Sequence, residues 1–176
     1  MFISLLEKRR SIRKYKDKPV EAEKIDMLVE AALRSPSSMN CNPWEFIVII
    51  EKEKLDKLSM SKPHGATFLK NSPMAIIVCG DAKKSDVWVE DCSIASIFIH
   101  LAAESIGLGS CWIQIRDRMH NDVQSSSDYI SELLNIPGAL EVESIIAVGY
   151  PDEEKQGHKK KSLLFDKIHR NLYGEK

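Results

Sequence analysis

The sequence predicts an α+β fold. Residues 44–50 and 75–79 are rich in β-branched and aromatic side chains and read as strands. Apolar residues at Ile25, Leu28, Val29, Ala32 and Leu33 recur with helical period. Strands and helices do not alternate as strict βαβ units, which argues against a doubly wound parallel sheet.

The helix through Ile25 and Leu33 follows Pro19 and stops near Arg34, ahead of Ser35-Pro36. A residue before proline is pushed out of the helical region, so the stop is local. Residues 44–50 form the first strand, and the charged stretch 51–60 a short helix. Pro73 leads into the strand 75–79, and Gly80-Asp81 leaves it. Residues 87–106 carry Ile94, Ala95, Ile97, Phe98, Leu101, Ala102 and Ala103, apolar on most faces. Such a helix is expected at a domain centre or a subunit interface. Gly107 is its natural stop. Residues 110–115 read as a third strand. Residues 126–134 read as a helix closed by Asn135-Ile136-Pro137-Gly138, and 142–148 as a fourth strand.

A chain of 176 residues is expected to form one domain, 1–176, with ample length to bury a core. A net charge of −1 gives no global attraction to nucleic acid, so basic clusters must be local sites. No apolar run reaches the length of a membrane span. Residues 1–7 lack the pattern of a secretory signal, so the expected location is cytoplasmic, without nucleic-acid or membrane partners. Cys41, Cys79, Cys92 and Cys111 form no C-x-x-C pair, and no metal site is expected. Cys79 and Cys111 sit in apolar runs and read as buried, whereas Cys41 reads as exposed.

Two segments carry the chemistry. Arg9-Arg10-Ser11-Ile12-Arg13 suits a phosphate, because guanidinium forks match its oxygens and a hydroxyl adds a short donor. Taken alone, the cluster also fits a solvated basic face on a first helix. Ser37-Ser38-Met39-Asn40-Cys41-Asn42-Pro43-Trp44 is a compact set of neutral donors and acceptors. Together they suit a phosphorylated ligand with a polar heterocycle. Gly107-Leu108-Gly109 follows a helix and precedes a strand, the reverse of a dinucleotide-binding turn. Asp81, Glu90 and Asp91 fall near helix starts and read as structural or capping groups.

These blocks, in order, resemble the FMN-dependent nitroreductase family. The resemblance rests on Arg-x-Ser-x-Arg, on residues 36–44, on residues 106–113 and on residues 145–151 followed by a basic tail. It implies a central mixed β-sheet flanked by helices, in a domain-swapped homodimer with flavin sites at its interface. It implies FMN as cofactor and NADH or NADPH as electron donor. A small-molecule acceptor such as a nitroaromatic or quinone is then reduced by ping-pong hydride transfer, with no protein side chain as catalytic nucleophile. Reductive dehalogenation, flavin breakdown and a flavin-binding sensor without turnover are the alternatives.

The resemblance also assigns residues. Arg9, Ser11 and Arg13 would clamp the phosphate and ribityl chain, and Arg10 would point away. Pro36, Ser37 and Ser38 would form the loop that the partner subunit brings to the flavin, and the Asn40 amide would pair with the polar pyrimidine edge of its ring. Asn42 stands where the family commonly has Gln. Ile113 and Gln114 would lie at the strand end near the flavin ring and offer backbone N–H donors. The Gln114 side chain would either narrow the substrate space or turn away. Lys159 and Lys161 would close over the phosphate, or remain a solvated tail. Trp44 would be a core residue.

Overall fold

The computed structural model describes residues 2–176. Four strands make one sheet in the order β1-β2-β4-β3: β1 Trp44–Ile49, β2 Met74–Asp81, β3 Gly109–Gln114 and β4 Leu140–Gly149. Five helices accompany it: α1 Phe2–Lys8, α2 Ala22–Leu33, α3 Lys52–Leu58, α4 Trp88–Ser105 and α5 Ser126–Leu134. The helix 126–134 has the bounds read from the sequence. The Ser125 hydroxyl caps it by accepting from Asp128 N–H at 3.0 Å, and Asn135 ends it in the left-handed conformation.

The sheet is antiparallel at every ladder, which corrects the mixed sheet expected from the resemblance. β2 and β3 run in the same direction, but β4 inserts between them and pairs antiparallel with both. The parallel pairing seen is a single bridge, Ser11 to Ser110, outside the ladders.

Both faces of the sheet are covered. Along β2, Ala75, Ile77 and Cys79 meet Leu55, Leu58, Leu69 and Ile130 on one side. Met74, Ile76 and Val78 meet Leu28, Ala32, Ile99 and Ala103 on the other. The central strand is therefore a continuous apolar run, as a strand buried on both faces requires. Cys79, Cys92 and Cys111 are buried, and Cys41 is exposed. Trp44 packs against the α2–α4 side of the core.

α4 presses its small residues Ala95, Ser96 and Ala103 onto the sheet, with Ser96 hydroxyl 3.0 Å from that of Ser144. Its other side leaves Ile94, Ile97 and Phe98 exposed at 39%, 47% and 37%. The sheet and α2 cover much of this helix, and these three apolar side chains remain exposed within the chain. No helix among the described residues is long and apolar enough to cross a membrane.

One irregularity shapes the end of the sheet. The register slips between Val78, opposite Ser144, and Cys79, opposite Val142, so Glu143 is the extra residue of a β-bulge. Its carbonyl accepts from both Ile115 N–H (3.2 Å) and Arg116 N–H (3.1 Å), which fixes the chain just beyond β3.

Candidate functional site

β3 is an edge strand, and the N-terminal basic segment lies along its free side. Ile12 N–H donates to the Ser110 carbonyl at 3.0 Å. The approach is close: a Cβ on Gly109 would stand 2.9 Å from the Ile12 side chain, so glycine is needed there. Because outward-facing residues alternate along a strand, Trp112 and Gln114 also turn their backbone groups to this open edge.

Arg9, Ser11 and Arg13 are brought together beside Ser110. Neither arginine enters an ion pair among the described residues. Arg13 holds its guanidinium 5.9 Å above the Phe68 ring. The Arg9 charge reaches His100, whose pKa is pushed down to about 4, first by burial and then by Arg9. His100 is buried, with Nδ1 2.6 Å from the Ser110 hydroxyl. Arg10 turns away and donates to the Gln156 carbonyl.

Two residues missed in the sequence hold this clamp. The Glu153 carboxylate accepts from Arg13 N–H at 2.5 Å and Lys14 N–H at 3.2 Å. It also pairs with Lys155 at 2.9 Å, and Lys155 donates to the Ser11 carbonyl at 2.9 Å. The segment after β4 therefore pins the segment before α2. No local pattern announces this, because the partners lie far apart in the chain.

The basic tail is divided. Lys159 lines a groove of about 510 Å³ with Glu7, Lys8 and residues 156–160, directly before Arg9. A Cβ on Gly157 would collide with the Glu7 carbonyl, so glycine lets the tail pass α1. Lys161 lies in the 3₁₀ turn Lys160–Ser162, exposed and outside that groove.

The loop 36–42 is not brought to the clamp within one chain. It runs into β1, the edge of the sheet opposite β3. Those edges are three strand spacings apart, roughly 14 Å. Met39, Asn40 and Asn42 all have positive φ, of 49°, 56° and 47°. A left-handed residue with a side chain costs roughly 1–2 kcal/mol, so such a loop must be held by its surroundings. The buried Asp91 does so: it accepts from Ser38 N–H at 2.8 Å and from the Ser85 hydroxyl at 3.1 Å. Ser37 and Asn42 close the loop on each other, the Ser37 hydroxyl donating to Asn42 Oδ1 at 2.8 Å and accepting from Asn42 N–H at 2.9 Å. The Asn42 side chain is thus engaged locally. Pro36, Ser38 and Asn40 are exposed, and the Asn40 amide makes no hydrogen bond among the described residues.

At the far end of β3, Ile113 is buried and Gln114 is half-buried. The Gln114 side chain accepts from Trp112 Nε1 and donates to the Arg116 carbonyl, both at 3.0 Å. It is held against its own strand end and does not reach out across the edge. Nearby, the Glu143 carboxyl is buried with Oε2 unpartnered, and burial raises its pKa against the pull of Arg116.

Unpaired cations at one end of an open strand edge, and free backbone donors at the other, are an arrangement that fits a flat, phosphorylated ligand. The comparisons with known proteins point the same way. Residues 6–150 match the Nitroreductase family, and the chain belongs to it; it is an oxidoreductase. A solved structure described as an FMN-dependent nitroreductase from Clostridium difficile R20291 is 50% identical, with a TM-score of 0.96 over 97% of this chain and 99% of that one. An Archaeoglobus fulgidus protein provisionally named NADH dehydrogenase/NAD(P)H nitroreductase is 38% identical over 97% of this chain and 98% of its own. An iodotyrosine deiodinase of Thermotoga neapolitana is 26% identical over 93% of this chain and 96% of its own.

Proposed function

We propose that this protein is an FMN-dependent NAD(P)H oxidoreductase that reduces nitroaromatics, quinones or similar acceptors. The observation that carries the reading is the position of Arg9, Ser11 and Arg13. They lie unpaired along the free edge of β3, with the Trp112 and Gln114 N–H groups open further along the same edge and the Gln114 carbonyl taken by Lys62. From Ser110 to Gln114 the edge runs roughly 13 Å at about 3.3 Å per residue. That separation suits a ligand with a phosphate at one end and a polar ring at the other.

In this reading the arginines and Ser11 hold the phosphate and Lys159 closes from the tail, while Lys161 stays outside that groove. Gln114, and Trp112 before it, offer backbone N–H donors to the polar edge of the ring, whereas Ile113, expected to do so, turns its backbone into the ladder with β4. Bound FMN supplies the hydride chemistry; the chain supplies position, exclusion of water and a positive field. Pro36, Ser37, Ser38, Asn40 and Asn42 complete the site from a second copy, because within one chain they stand at the other edge of the sheet. The exposed Ile94, Ile97 and Phe98 on α4 supply apolar surface for that homodimer. Residues 1–176 then act as one cytoplasmic flavin-binding domain.

The deiodinase relative favours reductive dehalogenation as a second reading. Against it, residues 81–85 make a tight turn in which Lys84 and Ser85 N–H groups return to the Asp81 carbonyl, with no length for a lid. Anaerobic mixing of the FMN-loaded protein with NADH or NADPH tests the proposal. Bleaching within seconds, followed by recovery with a nitroaromatic, is expected of the reductase. No bleaching identifies a binding module, and recovery only with a halogenated phenol identifies the dehalogenase.

A further inference from the structure

Lys62 belongs to none of the blocks read from the sequence, yet it stands at the ring end of the β3 edge. Its ammonium donates to the Gln114 carbonyl at 2.8 Å. Among the described residues no carboxylate lies within ion-pair distance of it. The charge that bears on it most is a like one, Arg118; burial and that charge together hold its pKa below the usual lysine value. A half-buried ammonium with one neutral acceptor keeps two donors free and is short of negative charge.

Lys62 also lines a groove of about 580 Å³, together with Met60, Pro63, Thr67, Lys70 and His120. His120 stacks on Tyr129 at 4.0 Å and is tied to the Met60 carbonyl at 2.9 Å, so this wall is aromatic and fixed. Asp56, the one acidic group in the lining, is paired with Lys52. The groove therefore combines an apolar and aromatic wall with an uncompensated cation. Its volume is that of a site for one small molecule.

We propose that this groove is the acceptor subsite, and that Lys62 selects small aromatic acceptors bearing a carboxylate. The inference rests on the reading of the β3 edge as the flavin site, since that reading places the ring at the Gln114 end. A carboxylate would add a charge-assisted partner to the donors that Lys62 keeps free. Such a contact is worth roughly tenfold or more in affinity.

The test is calorimetric titration with benzoate and, as a neutral counterpart, benzyl alcohol, on the protein with and without FMN. Wild type should bind benzoate at least tenfold more tightly than benzyl alcohol. Lys62→Met and Lys62→Gln should abolish that difference while holding FMN as wild type does, and Lys62→Arg should restore most of it. For the reductase, kcat/KM with 4-nitrobenzoate should fall about tenfold in Lys62→Met, with 4-nitrobenzyl alcohol unchanged. Equal benzoate affinity in wild type and both neutral variants overturns the proposal. So does a wild type that does not prefer benzoate. A protein that takes no FMN would defeat the flavin reading separately, and Lys62-dependent benzoate binding would then still support the anion subsite.

Discussion

Lys155 reaches back to the carbonyl of Ser11 at 2.9 Å, across almost the whole length of the chain. With Glu153 it makes the proposed phosphate clamp a product of tertiary structure, because residues beyond β4 hold the basic segment in place. Glu153→Ala removes the acceptor of two backbone N–H groups and the partner of Lys155. FMN affinity should fall about tenfold, the loss of one charge-assisted anchor. Titration of the apo-protein with FMN measures it, and an unchanged affinity would mean that the clamp holds itself.

The three arginines should separate. Arg9→Ala or Arg13→Ala should weaken FMN binding by roughly ten- to a hundredfold, or about 1.5–3 kcal/mol. Arg10→Ala should have little effect, because its guanidinium is spent on the Gln156 carbonyl. Equal losses at all three positions in the same titration would remove the assignment.

His100 makes stability depend on pH. Its pKa is pushed from 6.5 down to about 4 in the folded protein, so the unfolded chain binds the extra proton between those values. Stability should therefore be full above pH 6.5 and fall as the pH drops toward 4, by an order-of-magnitude 3 kcal/mol. Urea unfolding across that window should show the slope in wild type and a reduced slope in His100→Asn.

Kinetics should be ping-pong. The chain offers one clamp and no dinucleotide-binding turn, so NAD(P)H and acceptor must use the same open side in succession. Parallel lines are expected in double-reciprocal plots as the second substrate is varied. Intersecting lines would reveal a separate nicotinamide site.

Local features were legible in the sequence. The helix 126–134 was bounded correctly because its cap, Ser125, and its stop, Asn135 before Pro137, are neighbours in the chain. Arg9, Ser11 and Arg13 stand out in the sequence because a contiguous segment carries them, and their role there is the one proposed above. The strand order was not, since pairing of β4 between β2 and β3 is decided by packing across the whole sheet. Glu153, Lys155, His100 and Lys62 were missed for the same reason: each acts through a partner distant in sequence. The Gln114 side chain could be settled only by its two hydrogen bonds.

The central claim is that one flavin site is assembled from the β3 edge of one chain and the Ser/Asn loop of another. The most direct measurement is FMN titration of the apo-protein, with molecular mass read by light scattering on the same samples. A dimer that takes up one FMN per chain is expected, with that uptake weakened in Asn40→Ala as well as in Arg13→Ala. A monomer that binds FMN with full affinity would contradict it.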